Sequence, residues 1–323
     1  MNPAIAVLMA VYNGSNYIRA QLDSILSQTY LSGVTILIHD DGSTDDTVDI
    51  IEDYQRRFPD IIRVDGGAPT GSAKDNFWYM LSLMDADIYF FCDQDDIWLP
   101  DKIEKSLDRL LNLKSDCRCV FCDMKVVDEA LNIIDESFLH YNGRDPRVLK
   151  PGRILIDNPA AGTSMCFDRA LRDLALSVDF DLNGIEMHDG FLLAMAALCG
   201  EVEFIDEPLV LYRQHADNDM GAARQESIIQ RIIRNARSII SGSFFSDKKA
   251  FLKLSQSAAG ELSRLDCLEE SKRTILKTYA SLSGLSPIKR ILFLRKNGFD
   301  RARHTWWLYI LFLQSKIDTQ KGA

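Results

Sequence analysis

The chain has 323 residues, 46% of them hydrophobic, which is enough to bury a full core in one large domain or two unequal ones. Residues 1–219 hold 18 Lys and Arg against 39 Asp and Glu, a net charge of −21, whereas residues 220–323 hold 19 against 8, a net charge of +11. The acidic part argues against nucleic acid as a partner, while the basic part suits an anionic surface such as a membrane leaflet.

The sequence carries no sign of export or of a membrane span. Residues 1–5 enter a strand pattern without the basic and apolar regions of a signal peptide. The longest apolar run near the C-terminus, Trp306 to Leu313, is far shorter than the roughly 18 residues that a spanning helix needs. The seven scattered cysteines favour a reducing compartment over a disulfide framework, and Cys117, Cys119 and Cys122 suit buried structural positions better than a zinc site. We therefore expect a cytoplasmic protein.

The first third of the chain alternates buried strands with amphipathic helices. Apolar runs of strand length occur at 5–11, 34–38, 61–64 and 88–92. Helical spacing of apolar residues follows each of them, from about residue 16, at 43–57, at 75–84 and after Pro100. Ser43 and Asp46 are spaced as a capping box for the second helix. This order predicts a doubly wound, mostly parallel sheet flanked by helices.

The pattern changes beyond residue 114. Short strands are predicted at 119–123, 124–128 and 163–167, helices near Asp168 and at 191–198, and further strands at 202–205 and 209–212. After Asp219 the pattern is helical throughout, with an aromatic segment, Trp306 to Tyr309, near the end. We therefore predict an α/β domain at 1–218 and a helical, basic C-terminal region at 219–323. An interfacial helix, a homodimer contact and a buried closing helix are alternative roles for the aromatic segment.

Three carboxylates are concentrated where the fourth predicted strand ends. Asp93, Asp95 and Asp96 follow the apolar run directly, so they belong at the carboxyl edge of the sheet, where open α/β sheets bind their ligands. Three acids this close repel one another unless a cation compensates them. A hard divalent ion that carries a diphosphate explains the cluster most simply. Asp40 and Asp41 follow the second strand and can face the same cleft.

Four ordered motifs carry a resemblance to a known family. They are the run from Val7 to Asn13, the acidic turn from Asp40 to Asp45, the run from Asp93 to Pro100, and the tetrapeptide from Tyr212 to His215. In this order they resemble the family 2 glycosyltransferases, most closely the bacterial rhamnosyltransferase-like branch that serves cell-surface polysaccharide synthesis. The resemblance covers about residues 4–218. It implies a GT-A fold, a nucleotide-sugar donor, and Mg²⁺ or Mn²⁺ as the cofactor.

The resemblance also implies roles for the donor-binding residues. Tyr12 and Asp40 would contact the nucleoside base. Asp93 and Asp95 match the family's D-x-D motif, with Asp93 facing the ribose or sugar and Asp95 the metal. Asp96 is an extra carboxylate whose place, on the metal, on the sugar or on neither, stays open. Asn76 resembles the family's asparagine in the helix after the second nucleotide loop and is expected to bind the donor.

The family's catalytic base lies in an acidic pair at a helix start, and the matching pair here is His188 and Asp189. The resemblance therefore implies that Asp189 removes the proton of the acceptor hydroxyl. An N-cap of the helix at 190–198 is the plain structural alternative for Asp189, and the two roles are compatible. His188 replaces the family's glutamate, and its partner, the acceptor or Asp189, stays open.

Two further motifs complete the expected site. His215 lies just past a strand, where family members place residues near the diphosphate, so it is expected to bind the metal or a phosphate, with Arg213 neutralising charge. Gly162 and Thr163 resemble the acceptor-side loop before a strand, although a plain turn is the alternative.

These expectations describe an inverting, metal-dependent glycosyltransferase. The acceptor would be a glycan or a lipid-linked molecule, and the donor dTDP-rhamnose by resemblance to the branch, with UDP-sugars as the alternative. The basic C-terminal region would allow peripheral contact with the inner face of the plasma membrane. Two rival hypotheses are a nucleotide-sugar-binding protein without catalysis and a scaffold in a polysaccharide assembly complex.

Overall fold

The computed structural model describes residues 2–215 and 243–301 together with Leu308 and Leu311, and for residues 243–245 it describes the backbone alone. Its sheet has nine strands in the order β3-β2-β1-β4-β8-β6-β9-β5, with β7 paired to β6. The strand bounds are β1 Ile5–Val11, β2 Val34–Asp40, β3 Ile62–Asp65, β4 Ile88–Asp93, β5 Ile97–Trp98, β6 Arg118–Val127, β7 Ile133–Asp135, β8 Met165–Asp168 and β9 Glu201–Arg213.

Helices cover the sheet in the described part of the chain. Their bounds are α1 Ile18–Leu26, α2 Thr47–Arg57, α3 Ala73–Leu83, α4 Lys102–Asn112, α5 Phe138–Asn142, α6 Pro151–Ile154, α7 Arg169–Leu176, α8 His188–Cys199, α9 Ser243–Leu262, α10 Glu270–Ala280 and α11 Pro287–Lys296. Within the described residues, none of these helices combines the length and apolar character that a bilayer crossing requires.

The predicted parallel sheet forms the first half of the molecule. Strands β3, β2, β1 and β4 pair side by side in parallel, and β1 lies between β2 and β4. Its apolar run is buried along almost its whole length because helices cover both faces. All four strands therefore end at one edge, where their following loops meet.

The second half of the sheet is mixed in direction. Strand β8 pairs antiparallel with both β4 and β6, whereas β6 and β9 run parallel to each other. The two strand pairs predicted at 119–128 and at 202–212 are single continuous strands, and the breaks expected within them are register shifts, between Cys122 and Asp123 and again before Lys125. Strand β5 pairs antiparallel with the end of β9, with Ile97 opposite Leu211. This pairing ties the loop after β4 to the last residues of β9.

The C-terminal helices share the core of the α/β part. Leu252, Leu262 and Tyr279 belong to the same buried hydrophobic cluster as Phe77 of α3 and Phe191 of α8. The boundary predicted near residue 218 falls within residues 216–242, outside the described residues. Most of the aromatic segment at 306–309 also lies outside them, although Leu308 is buried in the same cluster.

A disulfide joins the end of α8 to the loop after α9. It links Cys199 to Cys267, a pairing that the scattered cysteine pattern does not predict. The cysteines expected to be structural, Cys117, Cys119 and Cys122, are free thiols and buried, as predicted.

We predict that Leu262→Ala in α9 lowers the free energy of unfolding of the whole protein by about 2–5 kcal/mol, because it empties a fully buried site in the shared core. The matched control, Leu292→Ala in α11, removes a side chain that is 62% exposed and should change stability by less than about 0.5 kcal/mol. Urea unfolding followed by circular dichroism measures both. A separate early transition confined to the C-terminal helices would contradict the shared core.

Candidate active site

A cleft of about 1160 Å³ opens at the carboxyl ends of β1 and β4. One half is lined by residues that follow these strands and β2, namely Tyr12, Asn13, Asp41, Asp93, Gln94 and Asp95. The other half is lined by Asn158, Gly162, Glu186, His188, Asp189 and Arg301. Predicted site residues from both halves, Tyr12, Asp93 and Asp95 on one side and Gly162 and Asp189 on the other, therefore line one cavity.

The turn after β1 is fastened to the loop after β4 by one amide side chain. Gln94 accepts a hydrogen bond from the backbone N–H of Tyr12 at 2.9 Å and donates one to its carbonyl at 2.8 Å. A Cβ on Gly14 would lie 2.2 Å from Gln94 Oε1, so a larger residue would displace the Gln94 amide from Tyr12. The Tyr12 ring is left 56% exposed at the rim of the cleft, where a planar base could stack on it.

The two acids after β2 differ in where they point. The carboxylate of Asp40 accepts hydrogen bonds from its own turn, from the N–H groups of Gly42 and Ser43 and from the Ser43 hydroxyl. Ser43 therefore does not cap α2, whose N-cap is Asp46 without a side-chain bond, so the predicted capping box is wrong. Asp41 lines the cleft, whereas Asp40 does not.

Asp41 is thus a site residue that the sequence argument assigned no role. Its carboxylate accepts hydrogen bonds from the amide and hydroxyl of Thr70 and from the amide of Gly71, which brings the loop before α3 to the cleft. The sequence placed Asp41 beside the cleft but gave it no task; in the structure β2 runs to Asp40, two residues further than predicted, so Asp41 is the first residue beyond the sheet edge.

Asn76, predicted to bind the donor, contributes to the wall of the cleft but is only 1% exposed. Its Oδ1 lies 2.9 Å from Nδ1 of His39, and its Nδ2 donates to the His39 carbonyl at 3.2 Å. His39 is itself fully buried in β2. These contacts give Asn76 a structural task, the attachment of α3 to the end of β2.

The loop after β4 brings its acids to different surroundings. Asp93 and Asp95 both line the cleft. The Oδ2 atom of Asp95 lies 2.7 Å from Nε2 of His215, and the His215 ring stacks on Tyr17 with centroids 4.6 Å apart. The predicted partners Asp95 and His215 therefore meet, although 120 positions separate them in the sequence.

Asp96 faces away from the cleft and is 1% exposed. Its Oδ1 accepts a hydrogen bond from the backbone N–H of Arg213 at 3.0 Å. Burial, together with the neighbouring charges of Asp95 and Asp93, raises the pKa of Asp96 well above its ordinary value and favours the neutral acid. Asp96 therefore fastens the loop to β9.

Arg213, expected to neutralise the donor's charge, is turned toward the protein. Its guanidinium donates to the carbonyls of Asp95 and Glu129, each at 2.7 Å, and lies over the Tyr17 ring at 5.1 Å from the centroid. It is not among the residues that line the cleft. Its contacts hold the loop that carries Asp95.

Asp95 and His215 offer a cation two side-chain ligands. Among the described residues, no group of three or more His, Cys, Asp or Glu side chains is arranged to hold a metal ion. A divalent cation such as Mg²⁺ is usually bound by one or two protein carboxylates together with waters and substrate phosphates. The pair therefore fits a cation that arrives with a diphosphate, and it does not fit a closed protein cage.

Asp189 lies in the first turn of α8, on the other side of the cleft. The helix begins at His188 with Met187 as its N-cap, so Asp189 is not the cap. Its Oδ1 accepts hydrogen bonds from the Gly190 amide at 2.5 Å and from Nδ2 of Asn158 at 3.3 Å. Burial raises the pKa of Asp189, whereas the Gly190 amide and the nearby Arg144 guanidinium oppose that rise.

His188 is a neutral core histidine rather than a partner of Asp189. It is 3% exposed and packs on Phe77 and Phe91, with ring centroids 4.3 and 4.8 Å away. Burial and the charge of Lys74 lower the pKa of His188 to about 3. Neither ring nitrogen has a hydrogen-bond partner among the described residues.

The loop at 162–163 is shaped by these buried rings. A Cβ on Gly162 would lie 2.9 Å from Nε2 of His188, so a larger residue would displace the ring. Thr163 is fully buried, and its hydroxyl accepts a hydrogen bond from the indole of Trp98 at 3.4 Å. Gly162 reaches the cleft, whereas Thr163 supports it from behind.

The C-terminal region contributes to the cleft directly. Lys248 of α9 and Arg301 line it together with Arg144, and Arg301 pairs with Asp157 at 2.9 Å. From the sequence, the basic charge of this region was expected only to face an anionic surface such as a membrane. Its helical pattern gave no signal that two of its cations belong to the cleft.

Comparison with known proteins agrees with this architecture. The family model described as Glycosyl transferase family 2 matches residues 6–174 of the chain. A dTDP-rhamnosyl transferase, RfbG of Shigella flexneri, is 29% identical over 234 residues, which cover 66% of this chain and 74% of that protein. An uncharacterized glycosyltransferase of Nostoc sp. is 28% identical over 231 residues, which cover 69% of each chain.

Among solved structures, S. aureus TarS 1-349 in complex with UDP-GlcNAc matches with a TM-score of 0.55 at 17% identity, over 91% of this chain and 74% of that chain. At this identity the likeness concerns the fold, which is the GT-A fold that the four sequence motifs predict. The rhamnosyltransferase relative agrees with the predicted branch. Because the family model matches more than half of the chain, this protein belongs to glycosyl transferase family 2 and is a glycosyltransferase.

Proposed function

We propose that this enzyme is an inverting, metal-dependent glycosyltransferase of surface polysaccharide synthesis. It would transfer a sugar from dTDP-rhamnose or a UDP-sugar to a hydroxyl of a glycan or a lipid-linked acceptor. The observation that carries the proposal is the single cleft in which Asp93 and Asp95 line one half and Asp189 lines the other. Such a cleft can hold the departing diphosphate and the attacking hydroxyl on opposite sides of one sugar.

The donor belongs in the half formed by the loops after β1, β2 and β4. The exposed Tyr12 ring offers a stacking surface for a nucleoside base, and Asp41 supplies a carboxylate beside it in the lining of the cleft. The choice of donor is supported by two relatives, one a dTDP-rhamnosyl transferase and the other solved in complex with UDP-GlcNAc. We therefore assign the base to Tyr12 and Asp41, and keep Asp40 as the residue that shapes their turn.

The cation would be Mg²⁺ or Mn²⁺ held by Asp95 and His215, since these two side chains meet at 2.7 Å beside the cleft. When bound, it supplies positive charge that stabilises the diphosphate as it leaves. Asp93, also in the lining, would contact the ribose or the sugar. Arg213 and Asp96 hold the loop from behind, through the bonds described above.

The reaction needs one base on the acceptor side. The acceptor oxygen attacks the anomeric carbon from the face opposite the diphosphate, a new C–O bond forms, and the bond to the diphosphate oxygen breaks. The hydroxyl proton passes to the carboxylate of Asp189, and the bond electrons leave with the diphosphate. One displacement of this kind inverts the anomeric configuration.

A lipid-linked acceptor would bring the enzyme to the inner face of the plasma membrane, where the charge of +11 on residues 220–323 favours anionic lipids.

We predict that Asp189→Asn lowers sugar transfer by about 100-fold or more, because the amide cannot accept the proton, while dTDP affinity stays within about twofold. Donor turnover is assayed with dTDP-rhamnose and a panel of UDP-sugars in the presence of Mn²⁺, and dTDP binding by calorimetry. Asp49→Asn, a change at an exposed aspartate in the first turn of α2, is the matched control. Unchanged turnover in Asp189→Asn would remove this residue as the base.

We also predict that kcat is lost on acidification at a higher pH than an exposed aspartate would give, whose pKa is about 3.9. Burial raises the pKa of Asp189, and the base works only when ionised, so activity is present above that pKa and falls as the pH drops through it. The measurement is kcat for the active donor between about pH 4 and pH 8, with circular dichroism to confirm folding. A kcat that stays constant down to about pH 4 contradicts a buried carboxylate base.

A further inference from the structure

Asn158 lies outside α8, and its side chain contacts Asp189. It lies between α6 and β8, lines the cleft, and donates from Nδ2 to Oδ1 of Asp189 at 3.3 Å. None of the four sequence motifs includes it. Its contact with the proposed base raises the question of whether it fills space or directs the carboxylate.

The orientation of the Asn158 amide is fixed by its second contact. Its Oδ1 accepts a hydrogen bond from the backbone N–H of Ala160 at 3.1 Å. A flipped amide would place Oδ1 against the carboxylate of Asp189 and the NH₂ group against the Ala160 N–H, which leaves both contacts repulsive. Pro159 follows directly and restricts the backbone of Asn158. The side chain can therefore act only as a donor toward Asp189.

Gly190 makes room for this contact and adds a second donor. A Cβ at this position would lie 3.0 Å from Nδ2 and 3.2 Å from Cγ of Asn158. Its N–H donates to the same Oδ1 of Asp189 at 2.5 Å. Glycine within a helix costs about 0.5–1 kcal/mol relative to alanine, so its place in the first turn of α8 calls for a reason. Room for Asn158 supplies that reason.

Asn158 and Gly190 thus donate to the same oxygen, Oδ1 of Asp189, and the backbone amide of Gly162 is a further donor to this carboxylate. We propose that Asn158, with Gly190, is a positioning device that holds the Asp189 carboxylate in the orientation in which it receives the proton of the acceptor hydroxyl. The inference rests on the proposed role of Asp189 as base. Asn158 is a positioning residue in it, because it acts through Asp189 and not on the substrate.

The charges around Asp189 determine how its pKa would respond if the hydrogen bond from Asn158 were removed. Arg144 and Glu186 are its charged neighbours, and Glu186 has its own pKa raised by burial and by Asp189. The pair of Asp157 and Arg301 and the Lys248 ammonium line the same part of the cleft. His188, next in sequence, stays neutral because burial lowers its pKa to about 3. Among these positive and negative neighbours, the hydrogen bond donated by Asn158 favours the ionised form of the Asp189 carboxylate.

The test uses Asn158→Ala and Asn158→Asp in the full-length enzyme, with dTDP-rhamnose as the donor probe or the UDP-sugar that the panel selects. Because Asn158→Ala removes a hydrogen bond to a charged group, we expect kcat to fall roughly 10- to 100-fold and the donor KM to stay unchanged. We also expect the loss of kcat on acidification to begin at a higher pH. Asn158→Asp keeps the shape of the side chain and the Ala160 contact, but it places a second carboxylate beside Asp189. Its kcat should therefore be lost at a still higher pH than that of Asn158→Ala. Asn112→Ala, which removes a side-chain bond to a backbone carbonyl in α4, is the control and should leave kcat and the pH profile unchanged.

Gly190→Ala supplies an independent test of the contact between Asn158 and Asp189. The added methyl should push Asn158 away and lower kcat in the wild-type background, yet add little in the Asn158→Ala background, where the side chain is already gone. Fully additive losses, or a wild-type kcat and pH profile in both Asn158 variants, would overturn the inference. Asp189→Asn separates the two levels of failure: if it is inactive while the Asn158 variants behave as wild type, only the positioning role falls. If Asp189→Asn is active, the base assignment itself fails.

Discussion

The contact between Asp95 and His215 is the interaction on which the rest of the site depends. It joins the loop after β4 to the residues just past β9, two segments that lie 120 positions apart in the sequence. Several neighbouring contacts hold the same junction: β5 pairs with β9, Asp96 accepts from the Arg213 amide, and the Arg213 side chain donates to the Asp95 carbonyl. A carboxylate and an imidazole are thereby held beside the cleft without a closed cage around them. This is the arrangement expected for a cation that must enter and leave with each donor.

The proposed acceptor side is built by different elements, which lie later in the sequence. Asp189 comes from α8, whose apolar face packs into the core that α9 and α10 also share. Lys248 and Arg301 line the same half of the cleft, so the C-terminal region forms part of the cleft wall. In the proposed reaction, the parallel strands therefore present the donor side of the cleft, and the helices beyond the mixed part of the sheet present the acceptor side.

Sequence patterns predicted the elements whose signal is local. The buried strands β1, β2 and β4, and the acids at the ends of β2 and β4, could be predicted because a short continuous apolar run followed by turn residues is typical of a buried strand. The long strands β6 and β9 were divided in two, since a register shift interrupts the pattern as a strand end would. The distinct orientations of Asp40 and Asp41 depend on one residue of register at the end of β2, which apolar patterning does not resolve. The burial of Asp96, the inward turn of Arg213 and the Asn158 contact arise from long-range packing, for which a single sequence carries no local signal.

The most direct test of the central claim is the effect of Mn²⁺ on dTDP binding, measured by calorimetry with and without EDTA. In the wild-type enzyme the account predicts that Mn²⁺ strengthens dTDP binding by about 10-fold or more, worth roughly 1.4 kcal/mol. Asp95→Asn and His215→Ala should each abolish most of this gain while leaving the metal-free affinity nearly unchanged. His140→Ala, at a histidine whose side chain is 72% exposed, is the control and should keep the full gain. Equal dTDP affinity with Mn²⁺ and with EDTA, together with sugar transfer that EDTA leaves intact, would contradict a cation held by Asp95 and His215.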